Sequence, residues 1–218
     1  MLVDLLHTRL TQATLWRKVP CELFTVAVLG TQGRKQRFIL HCTEDERADM
    51  QFMELARKRY SVRSYRAGPV EDDKLQLVLE AARLAPTAAN RQAFRLIVIP
   101  TKNRESELLR IYNRSWFAQA PVVVCICAIP NEAWVRRDGK NHSDVDAAIV
   151  MDHLVLAATD LGLGTCWIGA FDAVAAREVL GIPEQVDPIA FTPLGYPADQ
   201  SPAKKRKNLD DLVKYSHW

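Results

Sequence analysis

The sequence predicts a chain dominated by one sizeable domain of mixed helices and strands, and three observations carry that reading. Leu75, Val78, Leu79 and Ala82 recur at i, i+3, i+4 and i+7, the stripe of a helix with one buried face. The runs 96–99, 122–129 and 188–195 are apolar and short enough to be strands. Hydrophobic residues make up 48% of the 218 positions and charged residues 25%, an ordinary globular balance that supports a full core.

Residues 1–49 stand apart as an extension. Residues 24–29 and 37–40 read as strands joined through Gly30 and Gly33, a hairpin pattern with no evident chemical use. Met50 and Met53 precede the first convincing helix, so the extension is either genuine or the product of a start codon assigned too far upstream.

From residue 50 the pattern becomes regular. Phe52 and Leu55 suggest a short helix leading into the polar stretch Arg59-Tyr60-Ser61-Val62-Arg63-Ser64-Tyr65-Arg66, which Gly68 and Pro69 close. Glu71, Asp72 and Asp73 open the next helix with negative charge where its dipole favours it. Pro86 ends that helix, and residues 87–92 form a loop before a strand over 96–99 that reads as buried. A helix over 105–112 and a strand over 122–129 follow, the strand apolar enough to be buried on both faces.

Residues 130–145 form a long polar connection containing Trp134 and His142, of a length often found in lids over binding sites. Residues 146–161 then read as a helix apolar nearly all round apart from Asp146, Asp152, His153 and Asp160. Such a helix is wrapped by other elements or lies in an oligomer interface. Gly162 and Gly164 terminate it, and 165–169 read as a strand. Asp172 is a plausible N-cap for a helix over 173–180 that stops at Gly181. After a strand over 188–195 the chain ends in a basic run and an amphipathic segment over 209–215.

Several function classes fall away. The net charge is +3 with lysines and arginines spread along the chain, which is not the field of a nucleic-acid binder. No window has the ~18 apolar residues that span a bilayer, and Asp4 and His7 break up what would otherwise resemble a signal peptide. The five cysteines include no CxxC pair, which argues against a disulfide framework or a zinc site and points to a reducing cytoplasm. There is no GxSxG elbow for a serine hydrolase. Gly162-Leu163-Gly164 follows a helix and lacks the third glycine of a dinucleotide fingerprint. Asp152 and His153 are neighbours on a helix and point about 100° apart, which disfavours a dyad.

In an extended segment Arg59, Ser61 and Arg63 share one face. Two guanidinium forks around a hydroxyl suit a phosphate or a ring carbonyl, although a solvated basic loop would have the same composition. The small residues of 87–92, punctuated by Asn90 and Gln92, let backbone and amide groups approach a flat ligand, or form a plain helix-to-strand connection. What survives is a binder of a planar anionic ligand, and without an obvious acid, base or metal a bound cofactor becomes the seat of the chemistry.

Five segments in order resemble the nitroreductase family of flavin enzymes. They are Arg59-Tyr60-Ser61-Val62-Arg63; Ala85-Pro86-Thr87-Ala88-Ala89-Asn90-Arg91-Gln92; the run from Leu161 through Trp167, Ile168, Gly169 and Ala170 to Asp172; Leu194-Gly195-Tyr196-Pro197; and Lys204-Lys205-Arg206. The resemblance covers 50–218. It departs from the common pattern at Ala93-Phe94, where Pro-Trp is frequent, and at Thr87, where serine is frequent.

The resemblance implies an α+β fold, a mostly antiparallel sheet flanked by helices, in an intertwined homodimer with one flavin mononucleotide (FMN) in each of two interface sites. By the same resemblance Arg59, Tyr60, Ser61 and Arg63 hold the flavin from one subunit, joined by Lys204 and Arg206 at the phosphate. Pro86, Thr87, Ala88, Asn90 and Gln92 come from the partner subunit. Trp167, Ile168, Gly169 and Ala170 lie against the ring, with a backbone N–H near its N5. The implied activity is ping-pong transfer of hydride from NADH or NADPH through flavin to an electron-poor small molecule such as a nitroaromatic, quinone or enone, with no metal and no protein acid or base. A protein that stores or fragments flavin, or one that dehalogenates iodinated aromatics, would keep the same pocket.

Overall fold

The computed structural model describes residues 52–218 together with two earlier strands, β1 (Thr25–Leu29) and β2 (Lys35–Ile39). The chain divides into two compact units, Met1–Asp49 and Met50–Trp218. In the first, β1 and β2 pair antiparallel with Ala27 opposite Arg37, in agreement with the hairpin pattern. The glycines expected to turn it lie outside the described residues.

The second unit is an α+β domain. Its strands β3 (Phe94–Pro100), β4 (Val122–Ala128), β5 (Gly164–Thr165) and β6 (Asp187–Gly195) form one sheet in the order β3-β4-β6-β5, antiparallel throughout. Strand β4 explains the layering. All seven of its residues are buried, and because side chains alternate they feed two separate cores. Val122, Val124, Ile126 and Ala128 pack with Val78 and Ala82 of α2 (Asp72–Arg83) and with Val150, Met151 and Leu154 of α5 (Ser143–Asp160). Val123, Cys125 and Cys127 pack on the other side, with Leu108 and Ile111 of α3 (Glu105–Ile111), Phe117 of α4 (Ser115–Gln119) and Ala176 of α6 (Ala173–Leu180).

The remaining helices, α1 (Phe52–Lys58) and α7 (Leu209–Leu212), are short and contain no buried residue. Asp172 caps α6 as its sequence predicts, accepting from the N–H groups of Val174 and Ala175 at 2.9 Å each, and Gly181 ends the helix at φ 63°.

Several expectations need correction. Strand β3 borders the sheet, so of the expected buried run only Ile99 is fully buried. The strand expected over 165–169 shrinks to β5 and a single bridge between Ile168 and Phe191, because Cys166 N–H donates to the Thr192 hydroxyl (3.1 Å) and not to a neighbouring strand. Helix α4 has no period long enough to read. Helix α5 begins at Ser143, three residues earlier than its apolar run suggests, and the amphipathic segment over 209–215 is helical only across α7. Among the described residues, helix α5 is covered on one side only. Val145 is 40% exposed, Ala148 and Asp152 are exposed, and Ile149 and Leu156 are half-buried. Among the described residues no helix is long and apolar enough to cross a membrane.

Candidate functional site

The polar stretch that follows α1 is clamped on both edges by backbone hydrogen bonds. Val62 N–H donates to Thr165 O (2.9 Å), Arg66 N–H to Tyr196 O (2.8 Å), and Ala198 N–H to Ser64 O (2.9 Å). Ser61 forms a parallel bridge with Thr165, and Tyr65 an antiparallel one with Pro197. The stretch is therefore extended, and its faces separate as the alternation requires. Val62 is 1% exposed and points inward, whereas Arg63 is exposed and Arg59 and Ser61 are half-buried. The inward face fits closely, since a Cβ on Gly164 would stand 2.6 Å from Val62 Cγ2. Glycine is required there.

Tyr60 turns away from the arginines. Its hydroxyl lies 2.9 Å from Asp199 O and 3.0 Å from Asp199 Oδ1, while Asp199 Oδ2 accepts the Arg63 N–H at 2.9 Å. Of the residues expected to hold the ligand, Tyr60 thus commits its polar atom to the protein.

Positive charge gathers on the outward side. Lys204 Nζ donates to Ala56 O (2.8 Å) and to Arg57 O, closing the C-terminal end of α1 where a cation is favoured. Loss of surrounding water, and then repulsion from Arg59 and Arg206, push the Lys204 ammonium below its ordinary pKa. Arg59, Lys204 and Arg206 consequently form one cationic cluster. The Cys166 thiol sits beneath the same face. Burial pushes its pKa up, against the opposing pull of the Arg63 and Arg59 charges.

Further along, Trp167 is 43% exposed between the buried Cys166 and Ile168. The Ile168 backbone is fully used, because its N–H donates to Phe191 O (2.9 Å) and its carbonyl accepts from Phe191 N–H (3.0 Å). The N–H groups of Gly169 and Ala170 take no partner among the described residues. A Cβ on Gly169 would meet only Trp167 Nε1, at 3.9 Å. The expectation of a free N–H somewhere in 168–170 therefore narrows to Gly169 and Ala170.

The loop of residues 86–92 has an unusual backbone. Ala89, Asn90 and Gln92 have φ of 50°, 53° and 52°, the left-handed region that side chains disfavour. The turn over Ala88–Asn90 closes on itself, with Asn90 N–H on Thr87 O (2.9 Å) and Gln92 N–H on Thr87 Oγ1 (3.0 Å). Its far end joins β3, where Gln92 O accepts the Phe94 N–H (2.9 Å), and its near end joins α5, where the Ala88 N–H donates to Asp146 Oδ1 at 2.9 Å. Pro86 and Asn90 are exposed, and Thr87 and Ala88 half-buried.

These two groups of residues do not meet within one chain. The loop is tied to Asp146 in the first turn of α5, whereas Lys58, Tyr60 and Val62 line a 60 Å³ cavity with Thr159 and Leu163 at the other end of that helix. At 1.5 Å per residue the two ends lie roughly 20 Å apart. One chain therefore keeps the cationic strip and the loop of residues 86–92 apart.

Other candidates dissolve. His153 Nδ1 lies 3.0 Å from the Ile149 carbonyl and Asp152 is exposed, so the two form no dyad. Cys125 and Cys127 share a face with their sulfurs 3.7 Å apart and serve as small core residues. The partner thiol first and burial second push the Cys125 pKa up. Sequence reasoning missed Asp199, which sits in a polar segment without any motif. It noticed Asp146 only as a polar exception on an apolar helix, a signal that pointed at the anchor without identifying its partner.

The model of the nitroreductase family matches residues 56–115 and 108–196. A putative NADH dehydrogenase/NAD(P)H nitroreductase of Archaeoglobus fulgidus is 31% identical over 157 residues, which is 65% of this chain and 83% of that protein. A Bacillus subtilis protein named FMN reductase (NAD(P)H) is 31% identical over 163 residues, 67% of this chain and 66% of its own length. Among solved structures, a nitroreductase family protein of Clostridium difficile superimposes with a TM-score of 0.71 at 37% identity, covering 78% of this chain and all of that one. An FMN-dependent nitroreductase from the same species gives a TM-score of 0.64 at 27% identity, covering 76% of this chain and 99% of that one.

Proposed function

This chain belongs to the nitroreductase family, and from that premise we propose that it is an FMN-dependent, NAD(P)H-oxidising enzyme whose flavin sites are completed between two copies. The observation that carries the reading is that the cationic strip and the left-handed loop stand at opposite ends of α5. Two α5 helices packed antiparallel through Val145, Ile149 and Leu156 would bring the first end of one against the second end of the other. The exposed side of α5 offers the apolar surface for such packing.

The residues present fit FMN. The cluster of Arg59, Lys204 and Arg206 supplies forked and point cations for a phosphate dianion. Ser61 and Arg63 line the same outward face, the N–H groups of Gly169 and Ala170, which have no partner among the described residues, offer donors to a ring edge, and the uncrowded Gly169 Cα lets a flat ring approach. From the second copy, the left-handed turn presents Thr87, Ala88 and Asn90, with Pro86 and Gln92 flanking it.

FMN, when bound, supplies an N5 that takes hydride from NADH or NADPH and passes it in ping-pong order to an electron-poor acceptor such as a nitroaromatic, quinone or enone. The protein's share is to bind and orient. Its guanidinium groups also favour negative charge on the ligand through simple Coulomb attraction. A reducing cytoplasm is the setting we assign to it as part of the same proposal.

The test is to purify the full chain, record its visible spectrum, measure its mass in solution, and add NADH and NADPH separately with and without a quinone acceptor. A yellow dimer that bleaches with one or both donors, and turns over with acceptor, is expected. A colourless protein that takes up no added FMN overturns the proposal, and bleaching without turnover overturns the enzymatic part of it.

A further inference from the structure

Asp146 is 1% exposed and stands in the first turn of α5. Its Oδ1 accepts the Ala88 N–H, but its Oδ2 is buried and has no partner among the described residues. His142, whose carbonyl accepts the Asp146 N–H at 2.9 Å, likewise ends in a buried Nε2 without a partner among the described residues. Its ring packs edge-on against Trp134 with centroids 4.9 Å apart. Burying a carboxylate with one of its two oxygens unpaired is costly, and the positive end of the helix offsets only part of that cost. A group retained under such terms calls for an explanation.

The Ala88 bond supplies it. Ala88 opens the turn in which Ala89, Asn90 and Gln92 all hold left-handed backbone angles without a glycine among them. A turn of that kind persists only where its surroundings hold it in place. The bonds inside the loop, through Thr87 O and Thr87 Oγ1, set its curvature but do not attach it to the domain. The Phe94 N–H on Gln92 O joins only its far end to β3; Asp146 attaches the Ala88 end to α5, and a charged acceptor makes the stronger bond.

We propose that Asp146 is a positioning residue of the flavin site, its buried carboxylate holding the left-handed 88–92 turn in the shape that presents Thr87, Ala88 and Asn90 to the cofactor. This inference rests on the FMN reading above. It assigns the residue that builds the half-site contributed by the second copy.

The test compares the full-length wild type with Asp146→Ala, Asp146→Asn and a control, Val150→Ala, one turn further along the same buried face. Two quantities are read: hydrogen exchange of the Ala88 amide in cofactor-free protein, and FMN affinity from quenching of flavin fluorescence. Asp146→Ala is expected to speed the exchange and weaken FMN binding by about tenfold or more, the effect of losing one charge-assisted hydrogen bond. Asp146→Asn, which keeps an acceptor for Ala88, should restore both to within about threefold. Val150→Ala should lower the melting temperature without moving either quantity. Wild-type exchange and affinity in Asp146→Ala, or equal losses in Val150→Ala, overturn the inference. If wild type itself binds no FMN, the FMN reading falls and the flavin role of Asp146 falls with it, while unchanged exchange in Asp146→Ala would separately refute its hold on the turn.

Discussion

The Tyr60 hydroxyl shares its proton between the carbonyl and the carboxylate of Asp199, 2.9 Å and 3.0 Å away and 139 residues further along the chain. The same carboxylate accepts the Arg63 N–H. One side chain from the C-terminal segment therefore fixes two residues of the cationic strip, one by its side chain and one by its backbone. The outward direction of Arg63 depends on that fixture.

Replacing Asp199 with alanine leaves the Arg63 N–H and the Tyr60 hydroxyl each short of a carboxylate acceptor. A loss of about 1–3 kcal/mol in unfolding free energy is expected from urea titration, together with weaker FMN binding as Arg63 loosens. Unchanged values for both would show that the fixture is dispensable.

Tyr60 also predicts an alkaline signature. Burial first, and then the hydrogen bond to Asp199, push its pKa up from 10 to about 12. A pKa raised on folding means the neutral form is favoured in the native state. The associated stability is full below pH 10, where the unfolded tyrosine is also neutral, and is lost as pH rises towards 12. Tyr60→Phe should therefore lose less melting temperature than wild type between pH 10 and pH 11.5. Burial also raises the Tyr65 pKa, but that contribution is common to both proteins and cancels in the comparison. Parallel curves would refute the assignment.

Gly164→Ala places a Cβ 2.6 Å from Val62 Cγ2, inside a region where Val62 is 1% exposed. A destabilisation of about 1–3 kcal/mol is expected. Because the clash is with the valine methyl groups, Val62→Ala in the same chain should cost much less than the sum of the two single changes. Additive costs would mean that the glycine is needed for another reason.

Arg59→Ala removes a forked cation from the cluster shared with Lys204 and Arg206. FMN affinity should fall about tenfold to a hundredfold, the range for a charge-assisted contact, with Arg59→Lys intermediate because a point charge replaces a fork. Flavin retained at wild-type affinity would show that the strip faces something else.

Local signals carry a good part of this fold. Asp172 and Gly181 mark the ends of α6 by capping chemistry that acts within a few residues, and the period of Leu75, Val78, Leu79 and Ala82 marks the inner face of α2. Burial was less legible. The run over 96–99 and the interior of β4 look alike as strings, but β3 borders the sheet and β4 lies between two neighbours, so burial follows pairing and not composition. Helix α4 is too short to show a period at all.

By itself, then, the sequence determined most of the elements, the alternation that puts Arg59, Ser61 and Arg63 on one face, and the clustering of small residues in 87–92, because each depends on neighbours a few positions apart. Tertiary structure alone decided that Asp199 braces Tyr60 and Arg63, that Asp146 spends one carboxylate oxygen on Ala88, and that the Ile168 N–H is taken while those of Gly169 and Ala170 have no partner among the described residues. It also set the cationic strip and the 86–92 loop at opposite ends of α5. Those facts join residues scores of positions apart, and no local preference of the chain encodes which distant atoms will complete a hydrogen bond.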